Sequence, residues 1–250
     1  MNLLSHHSFS SINTFQNCER SWFHNYILRE RTPPGSSAQF GSAFEAVVAL
    51  RSGLAPASNK PEKEVSTEIE GLDEAVTIYF NHRAAALLKT ATTYQKKIEI
   101  TPNQFASLCL IHDVPEIDLN VPIIGYTDFQ GVAEFRPWIL DIKTADRSGF
   151  KPSWGLQDTL YGIAEGVSRL SIHLLVRTKV PKVQTFSFLL SKAIAAWALT
   201  VIGSTVARMN AAALSSSAFL SATPGFWCSW CPCSLGCPGA AMNDMKEVAA

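Results

Sequence analysis

Charge is expensive in the middle of an apolar strand, and the segment WILDIKT (residues 138–144) carries an aspartate and a lysine there. Side chains of a strand alternate between its two faces, so Ile139, Asp141 and Lys143 share one face and Trp138, Leu140 and Ile142 the other. A buried strand tolerates such charges when they pair with each other or bind a metal ion. Asp128 stands 13 residues earlier, in GYTDF, and the intervening FQGVAEFRP contains a turn-like Gly131. A hairpin there would set Asp128 beside Asp141. Two carboxylates without a counter-charge repel and raise each other's pKa. A divalent cation relieves that repulsion, and Mg²⁺ takes such hard oxygen ligands, commonly one or two carboxylates plus a substrate phosphate. Taken singly, Asp141 and Lys143 also read as an edge-strand ion pair, and Asp128 as a turn cap.

Three further residues extend the set. Glu45, in FGSAFEAVV, flanks the apolar stripe of a predicted helix and supplies a third carboxylate; taken alone it reads as a surface residue. Gly41, one turn earlier, allows another chain segment to approach closely. Gln157 and Tyr161, in WGLQDTLYG, are four apart and share one helix face. An amide and a phenol there can hold phosphate oxygens or orient a reacting group, or form an ordinary half-buried face.

Four of the six cysteines crowd into WCSWCPCSLGC, residues 227–237. One reading uses Cys228, Cys231, Cys233 and Cys237 together as zinc thiolates. The other omits Cys233, leaving C-x2-C-x5-C, and takes its fourth ligand from Cys18 in FQNCERSWF. Soft thiolates suit zinc and iron–sulfur clusters alike. Joining residue 18 to residue 237 closes nearly the whole chain and pins a tail with little core of its own. Cys109 reads as a small core residue of an apolar strand, and the six histidines form no cluster.

The elements that must position these groups follow from periodicity. Phe15, Cys18, Trp22 and Tyr26 predict a helix over 11–28, capped by Ser10 or Ser11 and ended by RERTPPGSS. Phe40, Phe44, Val47 and Val48 predict a second over 39–51. A loop is expected over 52–66 and a third helix over 70–90. YQKKIEI, FASLCLI, VPIIGYTDF and WILDIKT read as strands. A helix over 154–165, strands LSIHLLV and VQTFSFLL, and a long helix from Ser191 to about Leu214 complete the order. This predicts an α/β (α+β) fold, a mixed sheet flanked by helices. It is expected as one domain over 1–250, with a helical part over 10–90, a core over 91–214 and a cysteine tail over 215–240.

The chain resembles the RecB-type exonucleases of the PD-(D/E)XK nuclease superfamily. The resemblance rests on G-x-x-x-E at Gly41–Glu45, the lone Asp128, D-I-K at Asp141–Lys143 and Q-x-x-x-Y at Gln157–Tyr161, in that order. It implies a restriction-endonuclease-like core. It also implies Mg²⁺ or Mn²⁺ held by Glu45, Asp128, Asp141 and the carbonyl of Ile142. Lys143 would orient or activate water and stabilise phosphate charge, with Gln157 and Tyr161 supporting the site and contacting DNA. Many relatives carry His where Glu45 stands. The cysteine spacing resembles the iron–sulfur subset of the same group, Cas4-like proteins and AddB-type helicase–nuclease subunits. That implies a [4Fe–4S] cluster on Cys18, Cys228, Cys231 and Cys237, clipping the tail to the first helix, with Cys233 as a departure from the pattern. Phosphodiester hydrolysis suits these parts: a bound cation lowers the pKa of water and polarises phosphate, and a fixed ammonium stabilises the developing charge.

The implied activity is metal-dependent exonuclease action on single-stranded DNA or duplex ends, in recombination, repair or Cas4-like DNA processing. The competing class is a catalytically silent DNA-binding or assembly module with a structural metal cluster. Lys+Arg and Asp+Glu both number 21, so net charge favours no partner and a DNA contact needs a local basic surface. No GxxxxGK[ST] phosphate loop is present, so unwinding would fall to a separate helicase, with a recombination or CRISPR-adaptation protein as another expected partner. The first residues do not read as a signal peptide. AIAAWALTVIGSTVA (193–207) is short for a membrane span. A reducing cytoplasm is expected, which favours metal binding over disulfides.

Overall fold

The computed structural model describes residues 4–30, 32–57, 69–216, 219–225, 227–228, 231–233 and 237. In chain order the elements are β1 (His7–Ser8), α1 (Phe9–Asn17), α2 (Glu19–Trp22), a π-helical turn (Phe23–Ile27), α3 (Ser36–Arg51), α4 (Leu72–Asn81), a 3₁₀ stretch (Arg83–Thr90), β2 (Ala91–Ile100), α5 (Pro102–Ile111), β3 (Ile123–Ala133), β4 (Arg136–Ala145), α6 (Pro152–Glu165), β5 (Arg169–Val176), β6 (Lys182–Leu189) and α7 (Lys192–Ala213). The result is a mixed α/β fold with a β-sheet flanked by helices. The chain divides into two compact units. One comprises Met1–Pro33, Ile100–Ile124 and Leu199–Ala250; the other comprises Pro34–Glu99 and Gly125–Ala198. The predicted loop over 52–66 lies outside the described residues from 58 onward, as do residues 217–218, 226, 229–230, 234–236 and 238–240 of the tail.

The second unit is built on the sheet. β3 pairs with β2 and runs antiparallel to β4; β4 is parallel to β5, and β5 antiparallel to β6. The even-numbered face of β4 buries Trp138, Leu140 and Ile142 in a cluster with Phe40, Phe44 and Val48 of α3 and Val76 and Tyr79 of α4. The Tyr79 hydroxyl shares a hydrogen bond of 2.8 Å with His173 Nδ1 inside this core, so one ring nitrogen of a buried histidine of the apolar strand LSIHLLV is satisfied in place. α6 starts with Pro152 in its first turn and stops at Gly166, whose φ of 65° forms a left-handed cap. The β3–β4 hairpin is as expected, but its turn is not at Gly131. Ala133 pairs with Arg136, and the two-residue turn is Glu134–Phe135, with φ of 53° and 61°. Gly131 lies inside β3, where a Cβ would sit 2.2 Å from the Thr90 carbonyl and 2.5 Å from the Trp138 ring. Its lack of a side chain serves a close crossing rather than a reversal. The helix expected over 70–90 is α4 followed by the 3₁₀ stretch, broken at His82, whose backbone is extended (ψ 140°) and whose ring Nδ1 accepts from Ala84 N–H.

In the first unit, β1 pairs in parallel with Ile123–Ile124. The cap of the first helix is Ser8 rather than Ser10 or Ser11: Ser8 Oγ accepts from Ser11 N–H and Ser11 Oγ accepts from Ser8 N–H, both at 3.2 Å. The single helix expected over 11–28 is interrupted at Cys18, which is extended (φ −161°, ψ 110°) and becomes the N-cap of α2. Phe15 and Trp22 still meet across the break, edge to face at 5.1 Å. FASLCLI is helical, not a strand. Thr101 and Gln104 form a capping box around Pro102 at the first helical position, and Phe105 and Cys109, four apart, are its buried side. Cys109 is therefore a core residue of a helix. From Leu199 onward α7 packs in this unit, with Gln16 Nε2 donating to Thr205 Oγ1 at 3.1 Å and an Arg208–Glu19 ion pair. Among the described residues no helix is long and apolar enough to cross a membrane.

Candidate active site

All six residues singled out around the acidic strand lie in the second unit. One step beyond the Phe129–Leu140 pair of the hairpin come Asp128 and Asp141. Asp128 Oδ2 accepts from Ile142 N–H at 2.8 Å, and the charge of Asp141 acts on Asp128. Asp141 is buried, and its Oδ1 accepts from Lys143 Nζ at 2.8 Å, as their shared strand face requires. Gln157 of α6 brings Oε1 to 3.5 Å from the same ammonium. Tyr161, one turn on, hydrogen-bonds Gln157 and is buried. Its ring lies against Gly125 of β3, where a Cβ would fall 2.2 Å from the Tyr161 hydroxyl. Tyr161 thus braces α6 on the sheet. On α3, Glu45 Oε1 accepts from Gln95 Nε2 at 3.1 Å, and its charge acts on Asp141. Gly41 meets Thr144 of β4, whose Oγ1 would be 3.0 Å from a Cβ; this is the close approach its position predicted. Gly125→Ala should push the Tyr161 ring off the strand and cost about 1–3 kcal/mol, read from urea denaturation of the two proteins.

The electrostatics follow from burial. Desolvation, reinforced by the Asp141 charge and only partly offset by Lys143 and the Ile142 amide, pushes Asp128 up to about 7. Desolvation also raises Asp141, against the pull of Lys143. Burial alone would lower the Lys143 ammonium, but Asp141, Asp128 and Asp158 overturn that and hold it protonated above its ordinary range.

Asp158 is the functional candidate that pattern reading missed. It follows Gln157 on α6 and is completely buried, and among the described residues neither carboxylate oxygen has a hydrogen-bond partner. Burial and the charges of Asp141 and Asp128 raise it well above the usual carboxylate range, with Lys143 opposing. The signal available in the sequence was a lone acid within LQDTLYGI, a helical stretch otherwise fit for burial.

A family model matches residues 6–238, nearly the full chain, and describes the PD-(D/E)XK nuclease superfamily. The chain belongs to that superfamily. No curated protein matches it. Among solved structures, the crystal structure of a "Putative exonuclease" from Eubacterium rectale superposes with a TM-score of 0.59 at 11% identity, covering 97% of this chain and 94% of the other. The crystal structure of SSO0001 has a TM-score of 0.48 at 12% identity, covering 96% and 89%. At such identity the first likeness shows the fold.

The superfamily is associated with divalent metal ions, and the donor set here fits one. Asp128, Asp141 and Glu45 offer hard oxygens. Among the described residues Asp141 Oδ2 is buried without a hydrogen-bond partner, an atom that a cation would satisfy. Among the described residues no three His, Cys, Asp or Glu side chains already surround a common centre; the Lys143 ammonium holds Asp141 Oδ1 instead.

The PD-(D/E)XK chain should therefore lose stability with rising pH when metal-free. Carboxyls whose folded pKa lies above 3.8, Asp128 most clearly, bind protons more tightly folded than unfolded. Their contribution is complete below the unfolded value and is lost as pH rises through about 7. Thermal melts in chelator should show a midpoint falling between about pH 5 and about pH 7.5, with Mn²⁺ restoring it at the upper end.

The cysteines lie in the first unit. Cys231 and Cys233 place their sulfurs 3.2 Å apart. Burial, the Cys231 hydrogen bond and the charges of Cys231, Cys237 and Cys18 all push the Cys233 thiol up. Cys18 is thus within electrostatic reach of the tail despite its distance in sequence. Ser221 O accepts from Arg20 N–H at 3.2 Å, and Ser221 N–H donates to Glu19 Oε2 at 3.2 Å, so the start of the tail is tied to α2.

Proposed function

We propose that this chain is a metal-dependent DNA exonuclease of the RecB and Cas4-like kind, hydrolysing phosphodiester bonds of single-stranded DNA or duplex ends. The observation that carries the reading is the convergence of Asp128, Asp141 and Lys143 on one hairpin, with α6 holding Gln157 against the ammonium. In this reading Asp128, Asp141, Glu45 and the Ile142 carbonyl hold Mg²⁺ or Mn²⁺, which lowers the pKa of water and polarises phosphate. Lys143, kept charged by its carboxylate neighbours, stabilises the negative charge that grows on the phosphate oxygens. Gln157 aims the ammonium, and Tyr161 fixes the distance between α6 and β3. The description of the Eubacterium rectale neighbour as an exonuclease accords with this assignment.

The cysteines complete the proposal. Cys18, Cys228, Cys231 and Cys237 hold a [4Fe–4S] cluster that ties the tail to the Cys18 turn, in accord with the reach of Cys18 toward Cys233. DNA is the substrate, and a separate helicase or recombination or CRISPR-adaptation protein supplies unwinding. The test uses anaerobically purified protein, labelled single-stranded DNA with Mn²⁺ or Mg²⁺, and iron and zinc analysis of the same samples. Metal-dependent degradation with about four iron atoms per chain is the expected result. No cleavage, with zinc in place of iron, would favour a silent binding module and return Cys233 to the metal site.

A further inference from the structure

Asp158 is a charge-bearing group that the proposed nuclease site does not use. A buried carboxyl that, among the described residues, has no hydrogen bond costs free energy, and a helix that buries Leu156, Leu160 and Ile163 has no structural need of one. Its surroundings are specific: its carboxylate acts on the Lys143 ammonium, and the Asp141 and Asp128 charges act on it. Gln157, the preceding residue, already approaches Lys143 Nζ.

The present pairing poses a conflict. Lys143 donates to Asp141 Oδ1 at 2.8 Å, and Asp141 is the central ligand of the proposed cation. A carboxylate that gives its charge to a divalent ion holds an ammonium less strongly, and the displaced ammonium sits on a side chain only 24% exposed, with most of its surface out of water. A half-buried cation stripped of its partner is destabilising. The charges of Asp128, Asp141 and Asp158 all act on the one ammonium, and when all three are ionised they exceed it by two, the charge of one divalent ion.

We propose that Asp158 is a positioning residue that receives the Lys143 ammonium when a divalent cation engages Asp141, so that metal binding and placement of the lysine are one coupled event. The inference rests on the nuclease reading of the site. It assigns to α6 a partner exchange in which Lys143 moves from one carboxylate to another without leaving the buried cluster.

A double-mutant cycle reads this without measuring cleavage. Mn²⁺ affinity is measured by calorimetry on the full chain for the wild type, Asp158→Asn, Lys143→Met and the double variant. With Lys143 present, Asp158→Asn should weaken Mn²⁺ binding about tenfold, because the displaced ammonium has nowhere to go. In the Lys143→Met background the same change should leave the affinity within about twofold, since no ammonium is displaced. An equal loss in both backgrounds would mean that Asp158 acts through its charge alone, and that overturns the proposal. No loss in either background also overturns it. Asp158→Leu, similar in volume and suited to the apolar helix, repeats the cycle if the asparagine variant does not fold. A wild type that binds no Mn²⁺ at all would remove the nuclease reading itself, an outcome distinct from a cycle that closes without coupling.

Discussion

Asp141→Asn should lose DNA cleavage by about a thousandfold or more while keeping the fold and the iron content of the wild type. The asparagine has nearly the same shape, so the strand and its hairpin partner need not move. What disappears is the charge shared by the proposed cation and by Lys143. The variant has a second consequence that separates a site residue from a merely structural one. Asp128 is raised partly by the Asp141 charge, so removing that charge relieves Asp128, and the metal-free variant should melt no lower than the wild type above about pH 7. A surface ion pair lost by mutation would show neither the large kinetic loss nor the relief. Cleavage at the wild-type rate in Asp141→Asn would place the chemistry elsewhere on the chain.

Cys18→Ser carries the second large effect. Cys18 caps α2, and its sulfur is a long acceptor, 3.5 Å from Ser21 N–H. Serine is among the best residues at an N-cap, so as a helix device the variant equals or surpasses the wild type. As a soft ligand it fails. If Cys18 holds the proposed cluster, the purified variant should lose its iron and its thermal midpoint should fall by about 10 °C, the equivalent of about 3 kcal/mol for a chain of this size. Both are read on one anaerobic preparation, by metal analysis and by a melt. Full iron retention would make Cys233, 3.2 Å from Cys231, the better candidate for the fourth ligand.

Much of the acidic site was legible because it follows from simple periodicities. A strand alternates, so Asp141 and Lys143 had to share a face; a helix repeats at four, so Gln157 and Tyr161 had to align. Glu45 and Gly41 lay one turn apart, and Gly41 meets β4 as its size predicted. The losses came where two local signals competed. FASLCLI is apolar enough for a strand, yet the Thr101–Gln104 capping box and Pro102 immediately before it start a helix. Glycine at 131 reads as a turn when only its neighbours in sequence are known, but the close crossings of Thr90 and Trp138 require it within a strand. The break at Cys18 leaves the apolar spacing of Phe15 and Trp22 intact, so periodicity cannot see it. Asp158 escaped because the pattern on α6 drew attention to one face, while burial there extends to its other sides.

The hairpin that carries the two aspartates divides its own tolerance to length change. From Phe129–Leu140 to Ala133–Arg136 every residue has a fixed partner, and a single insertion or deletion in either arm would turn the side chains beyond it to the opposite face. At the tip, Glu134 and Phe135 adopt left-handed backbone, and Phe135 is fully exposed. Extra residues there leave the ladder in frame. Insertions can therefore accumulate at one point of this strand pair without separating Asp128 from Asp141, and that point is where a reporter peptide can be grafted while the spacing of the acidic pair is kept.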